Sequence, residues 1–210
     1  MRYKIFKENV EYIETFNKIG TRSYKLGINQ FADLTNKELQ ASRDGYQMFS
    51  YQKSPKASSF RYENVTAVPS SMDWRKKGVV TGVKDKGQYD GTCNTSQAAK
   101  ITGYQDVLAN SESALLKALA KQPISVAIDA SGSDFQFYSS VIFTRECGTD
   151  LDHGFTTVGY GTGSDVTKYW LVKNSWGTSW GENGYIRMQR GIDAEEGLCG
   201  IVMQASYPIA

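Results

Sequence analysis

The chain has 210 residues, of which 40% are apolar and 12% aromatic, a composition that fits one globular domain or two modest ones with a buried core. Its 24 basic and 22 acidic residues are interspersed and leave a net charge of +2, so the charge pattern points to no nucleic-acid or anionic-membrane partner. No apolar run reaches the roughly 18 residues of a membrane span. The start MRYKIFKENVEYIETFNKIG lacks the unbroken apolar core of a signal peptide, so no export leader is expected there.

In chain order, Arg2, Phe6, Asn9, Val10, Ile13 and Asn17 fall at steps of three and four, which predicts a helix with Phe6, Val10 and Ile13 as its apolar edge. Tyr24, Leu26 and Ile28 alternate as in a strand, and Thr35 with Glu38 makes a capping box that opens a second short helix. From Gln47 to Val68 the chain is polar, rich in Ser, Lys and Tyr and without a period, which reads as a linker. Ser111 to Lys121 is predicted helical, with Ser111 as cap, Leu115, Leu116 and Leu119 on the apolar side and Pro123 beyond the end. Ile124, Val126 and Ile128 alternate as a strand. His153 to Gly161, Lys168 to Lys173 and Gly184 to Gln189 are three more strands, separated by Gly-rich turns.

His153 is the sole histidine, and three cysteines, Cys93, Cys147 and Cys199, are an odd number. In a secreted protein that leaves one thiol unpaired or reactive. Two sequons, Asn64-Val65-Thr66 and Asn94-Thr95-Ser96, fit an exported ancestry, at odds with the missing leader. A lone histidine is ordinarily a partly buried ring satisfied by backbone partners, and Trp176 and Trp180 read equally as core aromatics. The flanks of His153, LDHGFTTVGYG and KYWLVKNSWGTSWGENGY with Asn174, give it another reading. A His that takes a proton from a thiol and an Asn that fixes the imidazole tautomer serve covalent catalysis only with a Cys within reach.

Arg2, Phe6, Asn9, Ile13 and Asn17 match the spacing of the pro-region helix of papain-like cysteine proteases. Gly27, Asn29, Phe31 and Asp33 match the second pro-region motif of that family. VPSSMDWRKKGVVTGVKDKGQ is similar to the start of the mature enzyme, and the His153 and Asn174 blocks with GLCGIVMQASYPI are similar to its carboxy-terminal half. The chain thus resembles a plant vacuolar or secreted papain-like precursor. The resemblance implies an α+β fold: a helical pro-region, then a truncated papain-like fold that keeps the right-half antiparallel β-barrel and lacks most of the helical left half. It divides the chain into an inhibitory pro-region over 1–50, a linker with the pro/mature junction over 51–68 and a truncated peptidase domain over 69–210.

The centre departs from the family. The nucleophile is expected in a CGxCW-type segment roughly 130 to 150 residues before the His and Asn, yet His153 follows Gln88 by 65 positions. A block of about 70 residues with the nucleophile is therefore expected to be missing. Cys93 precedes His153 in the right order, but NTSQAAKITGYQDV after it lacks an apolar helical stripe, so the helix amino terminus that lowers a catalytic thiol's pKa is not expected. Cys93 reads as an orphaned half-cystine. By resemblance, Asn174 orients His153, Trp176 shields their bond, Cys147 pairs with Cys199, and Lys86 stands where the family has the oxyanion-hole Gln. Lys86 alone reads as a solvated loop residue. Val141 and Arg145 stand where plant members carry Gly, so the turn before Phe143 is expected to be strained. No metal or cofactor is implied. The expectation is an inactive precursor of a cysteine endopeptidase, whose family partners are peptide or protein substrates. The alternatives are a trans-acting inhibitor of a related cysteine protease and a nonfunctional truncated product. The resemblance places the protein in the secretory pathway, vacuole or extracellular space.

Overall fold

The computed structural model describes residues 1–43, 60–85, 100–145 and 147–209. Helix α1 spans Arg2–Ile19 and ends where Gly20 turns left-handed at φ 68, a conformation glycine adopts without steric cost. The chain returns as strand β1, Tyr24–Leu26, and helix α2 covers Asn36–Arg43. The predicted capping box opens α2: the Thr35 N–H donates to Glu38 Oε2 at 2.8 Å, and the Glu38 N–H donates to Thr35 Oγ1 at 3.3 Å.

Polar side chains spaced along α1 bind it to the segment that follows. Asn9 donates from Nδ2 to the carbonyls of Ala32 and Leu34 at 2.8 and 3.0 Å. Asn17 donates to the Leu26 carbonyl and accepts from its N–H, and Arg2 reaches the Asp33 carbonyl and Glu38. The apolar edge differs from expectation: Ile13 and Phe16 are the buried residues of α1, whereas Phe6 is 37% exposed. The reason is where the chain turns back. Its return along the carboxy-terminal half of α1 brings the Phe16 and Tyr24 rings to 5.1 Å. Ile28, expected in the strand, lies beyond β1 and is exposed.

The expected linker is described over residues 60–68, and there it is docked. Phe60 is buried, Tyr62 meets Tyr207 at 5.3 Å, and Lys117 Nζ donates to the Glu63 carbonyl at 2.9 Å. Beyond it come β2 (Met72–Asp73), β3 (Gly103–Asp106), α3 (Glu112–Leu119), β4 (Ile124–Ile128), α4 (Ser133–Gln136), β5 (Tyr138–Phe143), β6 (His153–Thr162), β7 (Lys168–Lys173), β8 (Tyr185–Gln189) and β9 (Ala205–Ile209). Ser111 caps α3 by accepting from the Ala114 N–H at 3.1 Å. Leu115 and Leu119 are buried, while Leu116 is only partly so.

The strands form one mixed sheet in the order β1-β5-β8-β7-β6-β4-β9-β3, with β2 beside β6. The pair β5–β8 is parallel, whereas the resemblance implied an antiparallel barrel for the right half. Strand β1 joins through an antiparallel pairing with β5 that places Tyr24 opposite Val141. One apolar core runs from Ile13, Phe16 and Leu39 of the amino-terminal segment to Trp170, Trp176 and Trp180. Val141 sits inside β5 at φ 72, so the strain expected at this place falls on the residue itself.

Candidate active site

His153 opens β6 and pairs with Ile128 of β4. Its ring is 1% exposed, with Phe155 edge-on at 4.5 Å and Trp176 at 5.0 Å. Nε2 lies 3.1 Å from Asn174 Oδ1. Because an amide oxygen only accepts, this bond requires the proton on Nε2 and makes Nδ1 the basic nitrogen of the neutral ring.

Asn174 follows the last residue of β7 and is nearly fully buried. Its N–H donates to the Gly184 carbonyl at 2.9 Å, and its Oδ1 also accepts from the Ser175 N–H at 2.6 Å. Oδ1 thus faces two groups, the imidazole and the Ser175 N–H, while the backbone bond to Gly184 fixes where the residue sits. Trp176 is completely buried and lies among Phe31, Phe135 and Trp180 at ring distances of 5.6, 5.7 and 5.5 Å. The His153–Asn174 bond is thus buried beside aromatic rings, and a hydrogen bond in such a setting is stronger than one in water. The structure therefore brings His153, Asn174 and Trp176 together.

The motif Gly27, Asn29, Phe31 and Asp33 lies over the same place. Asn29 donates to the Gln136 carbonyl at 2.8 Å and accepts from the Phe31 N–H at 3.0 Å. Gln136 in turn donates to the carbonyls of Phe31 and Leu34. Gly27 donates to the Phe137 carbonyl, and a Cβ at Gly27 would lie 3.0 Å from the Ser139 Cβ, so a side chain there would push Ser139 back by a few tenths of an ångström. Asp33 takes part through its carbonyl, with Arg2 as donor.

Three residues that the sequence reading passed over complete the cover. Gln30 donates to the Trp176 carbonyl at 2.7 Å and accepts from Ser179 Oγ at 2.8 Å. Arg43 stacks over Phe31 and forms an ion pair with Asp85. Asp85 bridges to Trp176, and Lys84 accepts from the Gly177 N–H. The signal for Gln30 was its place between Asn29 and Phe31; for Arg43 and Asp85 there was none, because their meeting depends on tertiary contact. Lys86, Cys93 and the sequon at Asn94 lie outside the described residues. Cys147 and Cys199 are joined in a disulfide with Cα atoms 4.8 Å apart. Among the described residues no group of three His, Cys, Asp or Glu side chains is placed to hold a metal ion.

Two family models match the chain: papain family cysteine protease over residues 88–209 and cathepsin propeptide inhibitor domain over residues 1–39. Vignain from Ricinus communis is 42% identical over 289 aligned positions, which take in 99% of this chain and 79% of vignain. Since this chain has 210 residues, at least 79 of those positions face gaps in it. The senescence-specific cysteine protease SAG12 of Arabidopsis thaliana is 40% identical, with 99% and 83% of the two chains covered. Among solved structures, the proform of the Amb a 11 cysteine protease, a ragweed pollen allergen, aligns with a TM-score of 0.88 at 33% identity over 99% of this chain and 88% of that one. The recombinant stem bromelain precursor aligns with a TM-score of 0.85 at 36% identity over 99% and 90%. A fold shared with two precursors, a match to both parts of such a precursor and a His–Asn pair at its buried heart lead to one assignment: the chain belongs to the papain family of cysteine proteases, as a precursor that carries its propeptide inhibitor domain.

Proposed function

We propose that this protein is a cysteine endopeptidase precursor by descent that has lost peptide-bond hydrolysis. The observation that carries the reading is the fate of its thiols: two of three cysteines are joined in a disulfide, which leaves Cys93 alone as a nucleophile. The sequence after Cys93, NTSQAAKITGYQDV, lacks the apolar helical stripe of a helix that would lower its pKa. The excess of alignment positions in vignain supports a missing block near the size read from the spacing. In this reading His153 and Asn174 are catalytic residues without a nucleophile, Trp176 is their shield and Lys86 is a poor oxyanion donor. Residues 1–50 are the inhibitory pro-region, 51–68 the junction and 69–210 the truncated peptidase domain, which lacks most of the left half. The route is secretory, to a vacuole or the extracellular space, with Asn64, which is exposed, as a glycosylation site.

The test is a fluorogenic dipeptide assay at about pH 5.5 under reducing conditions, run beside an active papain-like protease of equal concentration. Loss of a nucleophile lowers kcat by on the order of a million-fold, so no turnover above background is expected. Turnover that disappears in Cys93→Ala would overturn the reading. A second function, inhibition of a related protease in trans, is favoured by the bonds from Arg2, Asn9 and Asn17 that hold residues 1–43 together as a unit. It requires the unit to leave its own sheet, and saturable loss of the added protease's activity is the result that would establish it.

A further inference from the structure

Strands β7 and β8 bury Trp170, Val172, Ile186 and Met188 on one face. The alternate residues lie on the other face, where Leu171 stands opposite Arg187 and Lys173 opposite Tyr185. The short helical turn Trp74–Lys77 and the segment that follows it lie against this second face: Arg75 stacks over Tyr185 at 4.7 Å, and Lys173 Nζ donates to the Thr81 carbonyl at 2.8 Å. Arg75, Lys76, Lys84, Lys173 and Arg187 thereby gather on one side of the molecule, although they come from three separate stretches of sequence. Two carboxylates stand among them. Asp73 accepts from Arg75 Nε and Nη2 at 3.0 and 2.9 Å, and Glu182 accepts from the same atoms of Arg187 at 2.9 and 2.5 Å. Nη1 of each arginine lies outside that fork. Lys84 and Lys173 have no carboxylate at ion-pair distance among the described residues. Asp85, next to Lys84, is engaged by Arg43, and Asp165, whose charge Arg187 feels, accepts from Thr167.

We propose that this face binds an acidic polysaccharide, whose carboxylate or sulfate groups are held by Lys84 and Lys173 at one end and by Arg75, Lys76 and Arg187 at the other. Asp73 and Glu182 accept its hydroxyls: Asp73 Oδ2 and Glu182 Oε2 each take one bond from their arginine, which leaves a lone pair on each oxygen. The mixture of charges decides among polyanions. A strip for single-stranded nucleic acid is basic and offers open aromatic rings for the bases. Here two carboxylates interrupt the cations, and guanidinium groups already lie over Tyr185 and Tyr169. A chain that carries both anions and hydroxyls matches both kinds of group. A cavity of about 400 Å³, lined in part by Ser71, Asp73, Lys76, Glu182 and Arg187, opens at one end of the strip. The strip runs from Tyr169 to Lys173, four residues of strand or about 13 Å. At its other end, burial and the charge of Lys84 lower the Lys173 ammonium, and an anion beside the pair relieves that repulsion.

The experiment is calorimetric titration of the full chain with polygalacturonate and with dextran sulfate, beside poly-L-glutamate, single-stranded DNA and neutral dextran. Saturable binding to at least one acidic polysaccharide is expected, weakened about tenfold between about 50 and about 200 mM salt. The tighter of the two identifies carboxylate or sulfate as the group held. Poly-L-glutamate, which has anions without hydroxyls, and DNA are expected to bind at least about fivefold more weakly, and dextran not at all. The double variant Lys76→Gln, Lys84→Gln changes two exposed side chains and is expected to weaken binding about tenfold. The charge-matched double variant Lys4→Gln, Lys7→Gln on α1, where both lysines are exposed, is expected to weaken it less than about twofold. No saturable binding to either acidic polysaccharide overturns the proposal. So does equal weakening in the two double variants, which would mean net charge alone, or binding of poly-L-glutamate or DNA as tight as that of the polysaccharide.

Discussion

Val141 holds φ 72 within β5, an angle at which a β-branched side chain crowds its own backbone. Such strain costs on the order of 1–3 kcal/mol, part of which a glycine would return as unfolded-chain entropy. Val141→Gly is therefore expected to raise the unfolding free energy by about 1 kcal/mol in urea melts, and a decrease would contradict the strain argument. Asn174 makes the opposite case. Replacing it with Ala leaves the buried His153 Nε2–H without its acceptor, so a loss of about 2 kcal/mol is expected. Stability is the useful readout here, since no activity is expected. Both residues were legible in the sequence, Asn174 from its flanks and Val141 as a departure from Gly. Arg43 and Asp85 were not, and Gln30 only through its place between Asn29 and Phe31, because a side chain that meets a partner from another element leaves no local pattern.

At the scale of elements, legibility followed the strength of local periodicity. Helix α3 and strands β4 and β7 lie where the pattern put them, because a capped amphipathic turn and a run of alternating apolar residues each carry their own signal. Strands β3, β5 and β9 were missed: β3 is four residues long, β5 contains a left-handed valine, and β9 contains Pro208, so each breaks the pattern that would reveal it. Helix α1 was found but its buried edge was misread, because position along the helix, not periodicity, decides which turns meet β1. Asn17 is the element-scale test. Its paired bonds to the Leu26 backbone close the α1–β1 turn, and Asn17→Ala is expected to lower stability by about 2 kcal/mol, read by urea denaturation. An effect within about 0.5 kcal/mol would show that apolar contacts alone hold the turn.

At the scale of the whole molecule, the disulfide between Cys147 and Cys199 spans 52 positions, and chain-entropy reasoning assigns it about 4 kcal/mol. Cys147→Ser is expected to lose most of that, as is wild type under reducing conditions; equal denaturation midpoints with and without reductant would refute it. The pH response combines opposite terms. Burial raises the carboxyls of Glu112 and Asp152, so their contribution to stability is present below the ordinary carboxylate range and declines as pH rises through their raised values. Asp134 acts in the other direction, with a contribution that is present above the ordinary carboxylate value and is lost as pH falls through its depressed one. The unfolding free energy is therefore expected to be at least as high at about pH 5 as at about pH 7 and to fall steeply only below about pH 3.5. A steady decline from about pH 7 to about pH 5 in urea melts would be inconsistent with these environments.

The sequence by itself determined the family, both pro-region motifs and the His153–Asn174 pair, because each rests on residue identity and spacing along the chain, and the family resemblance supplied the pairing of Cys147 with Cys199. Only the tertiary structure decided that β1 enters the sheet beside β5, that Phe31, Gln30 and Arg43 cover Trp176, and that Asp134 gathers Tyr12, Tyr24 and Arg145. Most of these contacts join residues more than 100 positions apart, from 110 for Tyr24 and Asp134 to 146 for Gln30 and Trp176. Their energy comes from burial and from donors meeting one carboxylate, and neither exists until the chain has folded.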